Sequence, residues 1–113
     1  GVEGQIEGGV VQGIGGSLFE ELQVLEGEIT NPSFVDYRLP TALDVPPIKA
    51  VYIEHPVPTG PFGAKGVGEP PIMPPAPAIA NAIFDATGLQ IKKIPITAER
   101  LKRAISTRQD QLK

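Results

Sequence analysis

One carboxylate stands in an unusual piece of backbone, GPFGAKGVGEPPIMPPAP, which runs from Gly60 to Pro77 and holds four glycines and six prolines. Glu69 lies between Gly68 and Pro70. Because proline disfavours helical backbone in the residue before it, and glycine lets other groups approach, we expect a rigid loop with extended backbone at Glu69. The exposed N–H groups of such a loop suit an anion or a cofactor, beside a carboxylate of fixed direction. The alternative is an ordinary acid in a surface turn.

Other motifs that could carry chemistry are incomplete. Lys65 follows Ala64 and precedes Gly66, whereas a phosphate-binding loop needs Gly before the Lys and a hydroxyl residue after it. The dinucleotide fingerprint fails as well, since residues 13–16 (GIGG) lie within a helical pattern rather than after a strand. His55 is the single histidine and is interpreted as a surface residue. The sequence shows no catalytic triad and no cluster of metal ligands.

Composition limits the class of protein. The 113 residues suffice for one domain, and 41% hydrophobic with 20% charged residues is typical of a folded chain. The net charge is -3 and no basic run occurs, which argues against nucleic acid as a partner. No apolar run approaches the roughly 20 residues of a membrane helix. There is no cysteine. Because the sequence opens within patterned structure, without Met or signal peptide, we expect a fragment of a longer protein.

The elements that must position the loop begin with a helix predicted over Gln5 to Leu25. Its apolar residues recur at spacings of three and four: Val11, Ile14, Leu18, Leu22 and Leu25. Five glycines interrupt the same stretch, and each costs a helix interior up to about 1 kcal/mol relative to Ala. A group must therefore approach the helix closely. The spacing of Gly9 and Gly13 favours packing against another element over ligand binding.

Downstream, the pattern predicts a turn, a long loop and two strands. Glu26 to Glu28 is expected to turn, and residues 31–47, with four prolines, are expected to form a loop. Residues 49–54 (KAVYIE) give the best strand because β-branched and aromatic residues dominate them. A second strand is expected over residues 89–96, interrupted near its end by Pro95.

Two further helices are predicted. The first runs over residues 77–87, ends at Gly88, and has an apolar face of Ile79, Ala82, Ile83 and Ala86. Thr97 suits the N-cap of a short last helix with Leu101, Ala104 and Ile105 on its apolar face. The polar residues 106–113 are expected to form a frayed tail.

Together these elements predict the α+β class. Two longer helices and a short C-terminal helix would pack on a small sheet, with long Pro/Gly-rich loops. Residues 1–113 would form a single domain, as a subdomain of a longer protein.

Four blocks of sequence carry a resemblance to a known family: GQIEGGVVQGIGGSLFEEL, ITNPSFVDYRLPTALDVPPI, EHPVPTGPFGAKGVGEPP and PAPAIANAIFDATG. In this order and spacing they resemble the C-terminal end of the molybdopterin-binding large subunit of the xanthine dehydrogenase and aldehyde oxidase family. The resemblance extends from Gly4 to about Ile105.

The resemblance implies a role for particular residues. Members of this family insert water-derived oxygen into a C–H bond, using molybdenum held by a pterin cofactor. Glu69 matches the family's general base in a GVGE-like loop. Gln5 matches a glutamine that touches the cofactor, and no residue of this chain is expected to ligate the metal. The loop expected to lie along the pterin comprises Ala64, Lys65, Gly66, Val67 and Gly68.

The resemblance also implies partners. The iron–sulfur (2Fe-2S) centres, and in some members FAD, would lie on other segments or subunits, and the enzyme would be cytoplasmic. Substrates in the family include purines, N-heterocycles, aldehydes and carbon monoxide. The isolated chain is expected to lack activity, and to self-associate through the helix face bearing Val11, Ile14 and Leu18. The alternative is a non-catalytic binding or structural module with the same fold.

Overall fold

A computed structural model describes residues 1–111, with side chains described through Arg108. The elements are α1 (Val2–Leu18), β1 (Val24–Leu25), β2 (Glu28–Ile29), α2 (Pro75–Thr87), α3 (Ala98–Gln111), and two 3-10 turns at Pro61–Gly63 and Pro70–Ile72. Three helices with a small sheet confirm the α+β class. None of the described helices has the length and apolar character that crossing a bilayer requires.

The glycines of α1 allow the second 3-10 turn and the start of α2 to contact the helix backbone. A Cβ added at Gly9 would lie 2.7 Å from the Pro71 Cβ, which is closer than real side-chain atoms approach. One added at Gly13 would lie 2.6 Å from both the Ile72 carbonyl oxygen and the Pro75 Cγ. The prediction that Gly9 and Gly13 serve packing is therefore confirmed.

The C-terminal end of α1 is fixed by buried polar contacts. Ser17 is 1% exposed, and its hydroxyl donates to the Gly13 carbonyl at 2.5 Å. The Ser17 carbonyl accepts the Ile96 N–H at 2.6 Å, which joins the segment before α3 to α1. Among the described residues, the large hydrophobic side chains that are buried are Ile14 and Ile96, with exposed fractions of 8% and 2%.

The helix ends at Leu18, seven residues before the predicted end at Leu25. A hairpin follows in which Val24 pairs with Ile29 and Leu25 with Glu28. Its turn needs positive φ at Glu26 (51°) and Gly27 (86°), so the predicted turn is confirmed.

A buried asparagine explains why α1 does not continue to Leu22 and Leu25, although their spacing is helical. The Asn31 side chain accepts the Gln23 N–H at 2.8 Å and donates to the Glu21 carbonyl at 2.7 Å. These bonds satisfy backbone groups that a longer helix would have used.

Neither of the two predicted strands forms. Residues 49–54 and 89–96 carry no strand, and the two-stranded hairpin is the only sheet within residues 1–111. A strand needs a neighbour for its backbone groups. In the second segment Pro95 has no N–H, and the N–H of Ile96 is already bonded to Ser17.

The predicted loop over residues 31–47 contains no helix or strand, as expected. The Tyr37 hydroxyl donates to the Glu20 carboxylate at 2.8 Å, and this bond raises the pKa of Tyr37 above its ordinary value. Further along, hydrogen bonds from the Thr41 hydroxyl and N–H lower the pKa of Asp44. The loop is thus held by local polar contacts.

The helix α2 begins two residues earlier than predicted, at Pro75, and ends at Thr87 with Gly88 at φ 67°, as predicted. Its partly buried face differs from the predicted one. Ala82 and Ala86 are exposed, whereas the half-buried positions are Ala76, Ile79, Ala80, Ile83 and Thr87. Spacing alone could not place the centre of this face, because alanines occur on both sides of the helix.

The N-cap of α3 is confirmed, since the Thr97 hydroxyl accepts the Arg100 N–H at 3.2 Å. The helix is not short, because it continues through residues 106–111, where a frayed tail was expected. Arg108 gives a physical reason, as its guanidinium donates to the Thr87 carbonyl at the end of α2. Residues 112–113 lie outside the described part.

An ion pair joins α3 to the segment after α1. Arg100 donates to both Glu21 carboxylate oxygens, at 2.5 and 2.7 Å, and to the Pro95 carbonyl at 2.9 Å. Both side chains remain about one-third exposed, 30% and 33%, so solvent weakens the attraction. The pair orients α3 more than it stabilises the fold.

The helix face expected to drive self-association is covered within this chain. Ile14 is buried, and Val11 and Leu18 are half-buried. Exposed apolar side chains lie elsewhere, on the loops, and include Phe34 (80%), Val35 (85%), Leu43 (98%), Ile53 (91%) and Phe62 (109%). Self-association stays a prediction, with these loops as its basis.

We expect Gly13→Ala to destabilise the protein by about 1–3 kcal/mol, because the new methyl group overlaps Ile72 and Pro75. The matched control is Gly8→Ala on the same helix, where a Cβ would meet nothing within 4 Å. It should stabilise by up to about 1 kcal/mol through helix propensity. Urea unfolding followed by circular dichroism measures the free energy of unfolding of both variants. Equal changes of the same sign would contradict the close packing at Gly13.

Candidate functional site

The backbone of Glu69 is helical rather than extended. Its φ and ψ are -88° and -36°, and its carbonyl accepts the Ile72 N–H at 3.0 Å. Pro70 and Pro71 have no N–H, so Ile72 is the first residue that can donate back to this carbonyl. That hydrogen bond accounts for the difference from the preference expected before proline.

Glu69 is held through the turn that follows it. Pro71 and Ile72 of this turn contact Gly9 and Gly13 of α1. The Glu69 side chain itself is exposed and makes no hydrogen bond to a described residue. The structure thus fixes the backbone of the acid while leaving its carboxylate free to meet a ligand.

The structure brings Gln5 to the glycine-rich loop. The Gln5 side-chain oxygen lies 3.3 Å from the position that a Cβ on Gly68 would occupy. Gln5 belongs to the first turns of α1, where its N–H bonds to the Gly1 carbonyl at 3.1 Å. Two predicted site positions that are 63 residues apart in sequence therefore lie side by side, next to Glu69.

The loop over residues 64–68 offers backbone donors. Ala64 uses its N–H on the Pro61 carbonyl at 3.0 Å, but the N–H groups of residues 65–68 bond to no described residue. Positive φ occurs at Phe62 (53°) and Gly63 (79°), and not at Gly66 or Gly68. The loop therefore turns before the predicted site residues.

A cleft of about 330 Å³ borders this loop. It is lined by Ala64 to Val67 on one side and by residues 52–56, with His55 among them, on the other. Sequence reasoning missed Tyr52, Ile53 and Phe62, which also line the cleft. For Phe62 the sequence offered one signal, an aromatic residue between Pro61 and Gly63 directly before the loop. A larger cleft beside α3 does not include any predicted site residue.

The donor set of the site suits a polar organic cofactor. It comprises the unpaired N–H groups of residues 65–68, the Gln5 amide beside Gly68, and the exposed carboxylate of Glu69, the next residue in the chain. Within residues 1–111 no group of three or more His, Cys, Asp or Glu side chains could hold a metal ion. A metal at this surface would need its ligands from the cofactor or from other polypeptide.

Comparisons with known proteins agree with the four sequence blocks. The profile of the molybdopterin cofactor-binding domain matches residues 1–46. A xanthine dehydrogenase molybdenum-binding subunit of Escherichia coli O157:H7 is 44% identical over 101 residues, which cover 88% of this chain and 13% of that protein. An aldehyde oxidoreductase of Megalodesulfovibrio gigas is 41% identical over 104 residues, covering 91% of this chain and 11% of that protein.

The fold is also found in a solved structure. The crystal structure of quinoline 2-oxidoreductase from Pseudomonas putida 86 matches with a TM-score of 0.85 and 38% identity. The match covers 93% of this chain and 14% of that one. The chain thus spans between 11% and 14% of the length of these three proteins.

We expect Gly68→Ala to displace the Gln5 side chain, because the new methyl group would lie 3.3 Å from its oxygen. The matched control is Gly66→Ala in the same loop, where a Cβ would meet nothing within 4 Å. Nitrogen-15 NMR of the Gln5 side-chain amide is the measurement. Its resonances should shift with Gly68→Ala and stay in place with Gly66→Ala, and the reverse pattern would contradict the contact.

Proposed function

We propose that this chain forms one wall of the cofactor site and carries the general base. The premise is that the chain belongs to the xanthine dehydrogenase and aldehyde oxidase family, as part of its molybdopterin-binding subunit. The observation that supports this best is the contact between Gln5 and Gly68 beside Glu69. It brings Gln5 to the loop that ends at Glu69, and these residues match the family's cofactor-binding and catalytic positions.

The first role we propose is cofactor binding by backbone. The N–H groups of residues 65–68 are unpaired, so they can donate to the polar edge of a pterin without breaking an existing bond. The Gln5 amide can donate and accept beside them. The exposed glycines at 66 and 68 leave the backbone open to a bulky ligand.

The second role is proton transfer. A bound molybdenum cofactor supplies oxygen-transfer and electron-accepting chemistry. Glu69 accepts the proton released as the water-derived oxygen becomes nucleophilic, which is the work of a general base. Its backbone is held by the Ile72 hydrogen bond and by the docking of the turn on α1. Fixing the backbone limits the positions that the Glu69 carboxylate can reach, while the side chain itself stays free to meet a ligand.

The complete enzyme needs more than this chain. We propose that further polypeptide of the same subunit closes the cofactor site, and that iron–sulfur and flavin groups on other segments or subunits remove the electrons. The substrate would be a purine, an N-heterocycle or an aldehyde, hydroxylated at carbon in the cytoplasm. On this proposal the isolated chain is inactive, since it provides a single wall of the site.

We expect Glu69→Gln in the complete enzyme to reduce kcat by about 100-fold to 10,000-fold or more while molybdenum and pterin contents stay full. The amide matches the carboxylate in shape, so the turn at residues 70–72 should remain docked. The matched control is Glu28→Gln, an exposed acid on the hairpin, which should leave kcat unchanged. Metal and pterin analysis with steady-state kinetics measures these effects.

The outcome of this experiment distinguishes the two interpretations of Glu69. A variant with full cofactor and near-normal kcat would remove Glu69 from the mechanism. The non-catalytic alternative would then be preferred.

Gln5→Ala in the complete enzyme should weaken cofactor retention more than it slows the chemical step. Removing the amide leaves its partner on the cofactor unpaired, at a cost of about 1–3 kcal/mol. Gln12→Ala, an exposed glutamine on the same helix, is the control and should retain cofactor normally. Molybdenum content after dialysis is the measurement, and full content with collapsed turnover would instead assign Gln5 to the chemistry.

A further inference from the structure

Residues 48–54 (IKAVYIE) have open backbone on both sides. From Val45 to Pro56, no backbone N–H or carbonyl forms a hydrogen bond with a described residue. The segment lies between Pro47 and Pro56, which bound a run rich in β-branched and aromatic residues. Its composition therefore favours a strand, while residues 1–108 provide no neighbour for it.

The burial of this segment alternates with a period of two, as in a strand with one covered face. Ile48 and Ala50 are half-buried, and Tyr52 is 50% exposed. On the opposite face, Val51 is 73% exposed and Ile53 is 91% exposed. One face thus rests partly on this chain, and the other presents two β-branched side chains to solvent.

We propose that residues 48–54 form a β-strand by pairing with a strand from elsewhere in the molybdenum-binding subunit, whose apolar side chains cover Val51 and Ile53. The inference rests on the proposed function, because that subunit is the source of the partner strand. Relatives of this chain extend far beyond it, since the match covers 13% of the Escherichia coli subunit and 11% of the aldehyde oxidoreductase. A partner within the same subunit is therefore preferred over a second copy of this chain.

The pairing has a consequence for the candidate site. Tyr52, Ile53 and His55 line the cleft that faces residues 64–67. A strand paired with residues 48–54 fixes the position of the cleft wall that these residues form. It also fixes the position of Pro56, where the next loop begins. The orientation of the glycine-rich loop then depends on strand pairing as well as on α1.

Backbone amide exchange in the complete, cofactor-loaded subunit tests the pairing without any substitution. The amides of residues 50–54 should exchange on the order of 100-fold or more slowly than unprotected amides. Protection of alternate amides indicates one neighbouring strand, and protection of all indicates two. Unprotected exchange at all these amides, in a subunit whose α1 amides are protected, would overturn the proposal.

A photocrosslink identifies the partner. A benzophenone side chain in place of Ile53, or of Val51 if the first variant does not fold, should crosslink to a residue outside this 113-residue chain. A crosslink to this chain in the same molecule, or to a second copy, would overturn the choice of partner. The proposed function stands or fails separately, because cofactor content and the kcat of Glu69→Gln are measured on the unlabelled subunit.

Discussion

The close approach of a proline-rich turn to the N-terminal helix is the constraint on which the rest of the site depends. Gly9 and Gly13 leave no side chain in the way, so Pro71, Ile72 and Pro75 contact the helix backbone directly. Prolines stiffen the incoming segment, which lowers the entropy lost when it docks. Because Glu69 immediately precedes this turn, the same contact sets its position relative to Gln5.

Polar contacts hold the remaining segments, since few large apolar side chains are buried among residues 1–108. Ser17 joins the end of α1 to Ile96, Asn31 closes the hairpin, and Arg100 connects α3 to Glu21. Each such bond contributes roughly 1 kcal/mol, and partly exposed ion pairs contribute less. Many exposed hydrophobic residues on the loops remain available for contacts with further polypeptide.

The candidate site is open to solvent at the loop and beside residues 48–54. Its predicted residues are at the surface, its loop N–H groups are unpaired, and its cleft is bounded by a segment with open backbone. Unpaired backbone groups are costly when they become buried without partners. A ligand on the loop and a strand beside residues 48–54 would each satisfy one set of these groups.

The sequence by itself determined the α+β class, the family, the packing role of Gly9 and Gly13, the turn at Glu26, and the caps at Gly88 and Thr97. The turn, the caps and the glycine spacing depend on local backbone chemistry, and the family resemblance depends on four sequence blocks in a fixed order. Only the tertiary structure decided the end of α1, the absence of the strand at residues 49–54, the helical backbone of Glu69 and the contact of Gln5 with Gly68. Each of these depends on partners distant in sequence, on a neighbour that this chain does not provide, or on a hydrogen bond that overrides a local preference. Spacing and propensity contain no information about which distant group supplies the partner.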